Sequence, residues 1–212
     1  MLPRPRTSVY VDGFNLYYGA VRHTPYRWLN LRKLCETLFP RNDITAIRYF
    51  TALVTSTSVD PTKTQRQLTF IRALETLPGL TVHYGSFLTN DVWMPRVRRF
   101  PGQSARVQVT KTEEKGSDVN LAALLLADGF RGLYDSAIVV SNDSDLMLPI
   151  KIVTQELGLP VGLLNPHKRF SVELSRVATF KKQIRKGPLS ACQLPDPVVD
   201  VAGREIRKPA GW

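Results

Sequence analysis

Hydrophobic residues along the chain follow two alternating patterns. Short runs rich in β-branched residues predict strands at residues 8–11, 44–54, 80–87, 136–141 and 160–164. Between them, apolar residues spaced three and four apart predict helices at residues 15–20, 31–40, 61–77, 117–129 and 146–157. Strand–helix alternation of this kind favours a mainly parallel sheet that is covered by helices, so we predict an α/β fold.

The alternation breaks between residues 88 and 110, where two strand-like runs flank a turn. This segment carries Arg96, Arg98, Arg99 and Arg106. We predict a β-arm over about 88–110 whose arginines bind phosphates, with Trp93 or Phe100 available to stack on a base. A solvated hairpin with an aromatic side chain packed beneath it explains the same pattern.

From residue 185 onward the proline content rises and the helical spacing disappears. We therefore divide the sequence into a domain over 1–184 and a C-terminal tail over 185–212. The tail is predicted to be extended and packed on the domain, with partial disorder as the alternative. Its predicted anchors are Leu194, Val198, Val199 and Trp212.

Acidic residues directly follow two of the predicted strands. Asp12 ends the first strand, with Asn15 one helical turn later, and Asp143 and Asp145 come just past a later strand. The carboxyl ends of parallel strands line the crevice where ligands bind in open α/β sheets, so these side chains should converge. Asp118, in the first turn of an apolar helix, is expected to join them.

Several carboxylates in one crevice repel each other unless protons or a cation neutralise them. Hard oxygen ligands select Mg²⁺ or Mn²⁺, and such metals support phosphodiester hydrolysis. Each acid also has a simpler interpretation, because carboxylates are common caps at helix N-termini. We interpret His167, after the last predicted strand, as a loop residue rather than a proton carrier.

Three motifs carry a resemblance to a known family: VYVDGFNLYYGA, KTEEKGSDVNLAALLLADGF and VVSNDSDLMLPI, in this order. Over about residues 8–166 the chain resembles the NYN domain, a branch of the PIN-like nuclease superfamily. The resemblance implies a three-layer α/β/α Rossmann-like sandwich, a pocket that binds Mg²⁺ or Mn²⁺, and endoribonuclease activity. The family's catalytic and metal-binding acids match Asp12, Asp118, Asp143 and Asp145. Its accompanying polar residues match Asn15, Lys115 and Ser141.

Composition adds a strong positive charge. The 212 residues carry a formal net charge of +11 and the pI is about 10.0, which favours partners with phosphate backbones or anionic membrane surfaces. Together with the acidic motifs, this charge favours a nucleic acid as the partner. The resemblance implies that the nucleic acid is RNA, and we expect Lys111 and Lys115 to lie near the scissile phosphate. The two cysteines lack zinc spacing and the sequence has no apolar leader or membrane-length segment, so we expect a soluble cytoplasmic protein.

The leading hypothesis is a metal-dependent endoribonuclease in which Asn15 and Ser141 orient the metal ligands or water. The main alternative is an RNA-binding or regulatory module that keeps the fold without turnover. The presence of four acids disfavours this alternative, because an acidic pocket repels the phosphates of RNA and does not help to bind them. An aspartyl phosphatase is disfavoured because Phe14 stands where its second acid is expected, and a nucleotide kinase because no G-x-x-x-x-G-K-[ST] loop is present.

Overall fold

The computed structural model describes residues 3–212. Its strands are β1 (Arg6–Asp12), β2 (Asp43–Thr51), β3 (Leu80–Tyr84), β4 (Ser86–Pro95), β5 (Arg106–Lys115), β6 (Ser136–Val140), β7 (Val161–Asn165), β8 (Phe180–Gln183), β9 (Val198–Val199) and β10 (Glu205–Ile206). Its helices are α1 (Gly13–Leu16), α2 (Leu31–Leu38), α3 (Lys63–Glu75), α4 (Ser117–Phe130), α5 (Met147–Gln155), α6 (Val172–Val177) and α7 (Lys186–Ala191). A π-helical turn, Tyr17–Val21, continues α1, and a 3₁₀ turn, Ser144–Leu146, precedes α5.

Six parallel strands form the central sheet, in the order β3-β2-β1-β6-β7-β8. Strands β2 and β3 extend the sheet on one side of β1, and β6, β7 and β8 extend it on the other side. The order reverses between β1 and β6, and this is the position where open α/β sheets bind their ligands. The predicted α/β fold with a mainly parallel sheet is confirmed.

The inner strands β1, β6 and β7 bury both of their faces, which produces three layers. Because successive side chains on a strand point to opposite faces, Val9 and Val11 pack in one core with residues of α2 and α7, while Tyr10 packs in the other with residues of α4 and α5. The short apolar runs of the sequence are explained by this double burial. The helices of the two layers hold the sheet ends rigidly enough to carry a site.

A buried carboxylate fixes α4 to the sheet. Asp128 accepts a hydrogen bond from the Tyr10 hydroxyl at 2.7 Å and pairs with Arg48 Nε at 2.6 Å. A buried charge is tolerated when it is paired and hydrogen-bonded in this way. The pair joins α4 to β1 and β2, and the same helix carries Asp118 in its first turn.

Strands β4 and β5 form a separate antiparallel hairpin, which we call the arm (residues 86–115). Their pairing runs without interruption from Ser86 opposite Lys115 to Pro95 opposite Arg106. The arm is longer than the predicted 88–110, because threonines extend the pairing; Thr89 and Thr112 hydrogen-bond across it at 3.0 Å between hydroxyls. Lys111 and Lys115 are consequently arm residues.

Two local predictions were wrong. Helix α3 begins at Lys63 rather than at 61, because the Asp60 carboxylate pairs with Arg66 at 2.6 Å instead of capping the helix. In the tail, Leu194, Val198 and Trp212 pack against the domain, but Val199 is exposed. Adjacent residues on a strand point in opposite directions, so Val198 and Val199 cannot both be anchors.

The tail also contains regular structure that its proline content concealed, namely α7 and the β9–β10 hairpin. None of the helices in residues 3–212 combines the length and the apolar character that crossing a bilayer requires.

Candidate active site

The acidic motifs meet at the carboxyl ends of β1 and β6. A cavity of about 250 Å³ opens there, which we call the acidic pocket. Its lining residues are Asp12, Phe14, Asn15, Tyr18, Glu114, Ser117, Asp118, Asp143 and His167. The pocket thus combines residues from the start, the middle and the end of the domain at the reversal point of the sheet.

Asp12 is the centre of a hydrogen-bond network that joins the two strand ends. It caps α1 by accepting from the Asn15 backbone N–H at 2.9 Å, and it accepts from the Ser141 hydroxyl at 3.0 Å. The Ser141 hydroxyl oxygen in turn accepts from the Asp143 N–H at 3.1 Å. The Asn15 side chain accepts from the Asn142 N–H at 3.0 Å. Asn15 and Ser141 therefore fix the position of Asp12 relative to Asp143.

Burial, together with the smaller effect of the Asp118 and Asp143 carboxylates, raises the pKa of Asp12 to about 6, against the opposing effect of the hydrogen bonds from Asn15 and Ser141. The surroundings of Asp12 therefore disfavour its negative charge. A bound cation would reverse this effect and lower the pKa.

Two further acids border the pocket where the arm joins α4. The Ser117 hydroxyl donates to Asp118 Oδ1 at 3.0 Å, and the Ser117 N–H donates to Glu114 at 3.1 Å. Gly116, between them, has φ of +91°, a conformation that favours glycine. Sequence reasoning missed Glu114, although two-residue alternation along β5 places it on the face opposite Lys115.

Asp145 lies outside the acidic pocket. It is exposed on the 3₁₀ turn, where its backbone N–H donates to Asp143 Oδ1 at 3.1 Å. The two acids follow β6 on a helical turn, in which residues two apart point in different directions. Three of the four predicted acids therefore line one cavity, and the role of Asp145 stays a prediction.

The donor set of the pocket suits Mg²⁺ or Mn²⁺, because carboxylate oxygens predominate among its candidate ligands and His167 is the one nitrogen ligand in the lining. Within residues 3–212, no three acidic, histidine or cysteine side chains lie close enough together to form a direct chelate. Mg²⁺ usually keeps several water ligands, so carboxylates spaced around an open cavity fit a hydrated ion.

The predicted phosphate-binding residues are split between two ends of the arm. Lys111 and Lys115 both pair with Glu113, at 2.6 and 3.4 Å, and do not line the pocket. The four arginines lie at the far end, exposed, and none pairs with a carboxylate in the described part of the chain; they are Arg96, Arg98, Arg99 and Arg106.

His167 forms the pocket wall beside the π-helical turn. A Cβ atom on Gly19 would lie 2.8 Å from the His167 ring, so the glycine permits this close approach. The backbone of His167 is held by Asn165, whose Oδ1 accepts from the His167 N–H at 2.9 Å. His167 lies in the loop after β7, as the sequence predicted, and the structure adds that it lines the acidic pocket.

The sequence profile of the NYN domain matches residues 6–182, which include the central sheet except Gln183, the last residue of β8. This chain belongs to the NYN domain family. Membership confirms the resemblance, and the match includes every residue of the acidic pocket.

Two relatives place this NYN protein among known sequences and structures. The chain is 30% identical to 6-hydroxy-3-succinoylpyridine 3-monooxygenase HspA of Pseudomonas putida, over 98% of this chain and 75% of HspA. It is also similar to the crystal structure of a Vibrio parahaemolyticus protein of unknown function, with a TM-score of 0.55 and 18% identity, over 88% of this chain and 96% of that chain. The second similarity supports the fold alone.

Proposed function

We propose that this NYN protein is a metal-dependent endoribonuclease and that the acidic pocket is its active site. The observation that carries the proposal is Asp12, a partly buried carboxylate at the reversal point of the sheet whose pKa is raised to about 6 by desolvation and by neighbouring acids. Such a site needs a cation, while the net charge of +11 attracts a polyanion. A phosphodiester held at a metal satisfies both requirements.

Each residue of the acidic pocket has a proposed role that follows from its position. Asp12, Asp118 and Asp143 would hold Mg²⁺ or Mn²⁺, with Glu114 at the edge where the arm begins. Ser141 and Asn15 keep the Asp12 carboxylate oriented through its hydrogen bonds. When bound, the metal would lower the pKa of the attacking water and stabilise charge on the leaving 3′ oxygen. Water as the nucleophile leaves a 5′ phosphate and a 3′ hydroxyl.

In this proposal, the arm provides the affinity for RNA. Its base adjoins the pocket, where the Phe87 and Phe14 rings meet edge to face with centroids 5.9 Å apart. Its ten-residue strands extend about 30 Å from there. The arginines at the tip would therefore bind phosphates several nucleotides from the cleaved bond. Trp93 and Phe100 are 59% and 64% exposed, available for stacking on unpaired bases.

The name of HspA describes a different reaction, the monooxygenation of 6-hydroxy-3-succinoylpyridine. We favour hydrolysis because a cluster of acids beside an arginine-rich arm is what phosphodiester cleavage uses, whereas ring hydroxylation requires neither feature. A second alternative is an RNA-binding module without turnover. In that case the acids would have no ligand to neutralise them.

The test is cleavage of end-labelled structured and unstructured RNAs with Mg²⁺, with Mn²⁺ and with EDTA. We expect cleavage only with a metal, loss of cleavage in Asp143→Asn, and normal cleavage in Asp43→Asn. Asp43 is a matched control, because it is exposed at the opposite, amino end of β2. RNA binding without cleavage under every metal condition would support the binding module, and oxygen-dependent conversion of 6-hydroxy-3-succinoylpyridine would support the reaction in the name of HspA.

A further inference from the structure

A second cavity, of about 100 Å³, lies on the other side of the helical segment that bounds the acidic pocket. Phe14 and Tyr18 line both cavities, so this segment is a common wall. We call the second cavity the aromatic pocket; its other aromatic lining residues are Tyr17, Tyr49, Phe70 and Trp212. Aromatic walls suit a flat ring, because stacked and edge-to-face contacts stabilise ring pairs beyond the area they bury.

Tyr49 places an unused hydrogen-bonding group in the aromatic pocket. The residue is only 7% exposed, and within residues 3–212 its hydroxyl has no hydrogen-bond partner. A Cβ atom on Gly13 would lie 2.7 Å from this hydroxyl, so glycine is needed there. A hydroxyl on a cavity-lining residue that makes no hydrogen bond to the described residues can donate to or accept from a ligand.

Two cations without ion-pair partners complete the lining. Lys63 and Arg27 are half-buried, and neither lies within salt-bridge distance of a carboxylate in the described chain. Arg66, in the same lining, is already paired with Asp60 at 2.6 Å. Gln67 is also used internally, because its amide nitrogen donates to the Ala52 carbonyl at 2.9 Å. Arg27 Nε also donates internally, to the Thr24 carbonyl at 3.2 Å, so the groups left for a ligand are the Lys63 ammonium group and the remaining guanidinium N–H groups of Arg27.

We infer that the aromatic pocket binds one base of the RNA substrate, next to the phosphate in the acidic pocket. The inference rests on the proposed function, since RNA brings both groups together. The shared wall of Phe14 and Tyr18 means that a strand crossing this wall can place a phosphate on one side and a base on the other. The donors Tyr49, Lys63 and Arg27 select a base with carbonyl acceptors, guanine or uracil, over adenine.

The test measures binding in EDTA, where no cleavage is needed. End-labelled single-stranded RNAs carry one abasic nucleotide at successive positions. We expect one position at which base removal weakens binding about tenfold, since stacking on aromatic residues contributes about 1–3 kcal/mol per base. At that position, replacing guanine by adenine should also weaken binding several-fold.

Pocket variants then identify where this base binds. Lys63→Met and Tyr49→Phe should each weaken binding of the intact RNA about threefold to tenfold, but should not affect the RNA that is abasic at the sensitive position. Tyr49→Phe removes only a hydroxyl without a protein partner, so folding is preserved. Lys151→Met is the matched control, because Lys151 is exposed on α5 and forms no ion pair with described residues.

The outcomes separate this inference from the proposed function. Equal losses for intact and abasic RNA in Lys63→Met would mean that Lys63 binds phosphate, and would overturn the base pocket even if the protein cleaves RNA. Coupling between Lys63 and the base would support the pocket even if no metal gives cleavage. Free GMP that binds as tightly as the RNA would overturn it too, because the pocket would then serve a free nucleotide.

Discussion

The acidic pocket and the arm carry opposite charges and are built in opposite ways. The pocket gathers acids from β1, β5, α4 and the turn after β6, and its groups hydrogen-bond mainly to one another. The arm is a single local hairpin whose arginines are exposed and unpaired within the described residues. Charges in the pocket interact strongly because they are partly desolvated, whereas those on the arm are screened by salt. Chemistry and affinity should therefore be separable by mutation.

The largest effect is expected at the pocket. Asp143→Asn should lower the rate of metal-dependent RNA cleavage by more than about a hundredfold, because even residues that only support a metal ligand contribute about 10- to 100-fold. Affinity for RNA in EDTA should be unchanged or slightly higher. Single-turnover cleavage and filter binding measure the two quantities. A variant that lost affinity and rate in parallel would contradict the separation of pocket and arm.

The second prediction concerns stability. Asp12 has a pKa of about 6 in the folded protein against an ordinary value of 3.8, so the folded state binds more protons between these pH values. The folded protein therefore loses stability as the pH rises through this window, and Asp12→Asn avoids the loss. In EDTA the variant should be more stable by on the order of 2 kcal/mol at pH 7.5 and about equal at pH 3.5.

Urea unfolding at several pH values tests this, with Asp43→Asn as the exposed control. Saturating Mg²⁺ should shrink or reverse the advantage of Asp12→Asn at pH 7.5, because a ligand of the folded state stabilises only the protein that binds it. An advantage that was the same at every pH would show that packing, rather than charge, limits the stability at this position.

The third prediction addresses the arm. Changing Arg98 and Arg99 together to alanine should flatten the salt dependence of RNA binding by about 1.4 log units per log unit of salt, and weaken binding roughly tenfold at 0.1 M salt. A tetranucleotide, too short to reach the tip, should bind both proteins equally. The matched control is Arg41→Ala with Arg72→Ala, which removes two exposed arginines elsewhere. An equal effect of both double variants would mean that only net charge matters.

The smallest effect is expected at Lys111. Its ammonium group pairs with Glu113 at 2.6 Å, so it is not free to contact phosphate. Lys111→Ala should change RNA affinity less than twofold and leave the salt slope nearly unchanged. A slope change as large as that of Arg98→Ala alone would show that RNA displaces Glu113. The arm would then bind RNA along its whole length.

The inner strands of the sheet were predictable because they are buried on both faces, which leaves short β-branched runs such as residues 136–140 in the sequence. The edge strand β8 is largely exposed and leaves no such run. Asp12, Asn15, Ser141 and Asp143 were also predictable, since residues at the ends of parallel neighbours must meet. The start of α3 was not, because the Asp60 side chain has two favourable uses and the pairing with Arg66 depends on packing.

Glu114 and His167 could not be placed from the sequence. The position of Glu114 depends on the register of the arm, which pairs it with Phe87, and that of His167 depends on the loop after β7. The aromatic pocket was equally hidden, because its lining comes from segments as distant in sequence as Tyr17 and Trp212. Such sites arise from tertiary contacts that no local pattern encodes.

The uninterrupted pairing of β4 with β5 gives the arm a defined length, which sets the distance from its base to its tip. Side chains alternate between its two faces every residue, so a change of one residue per strand would turn every tip side chain to the opposite face. Lengths that keep the arginines on their present face differ by two residues per strand, or about 6.6 Å of reach. In the proposed nuclease, the distance between the cleaved phosphate and the phosphates bound by the arginines would therefore change only in discrete steps, each close to the span of one nucleotide.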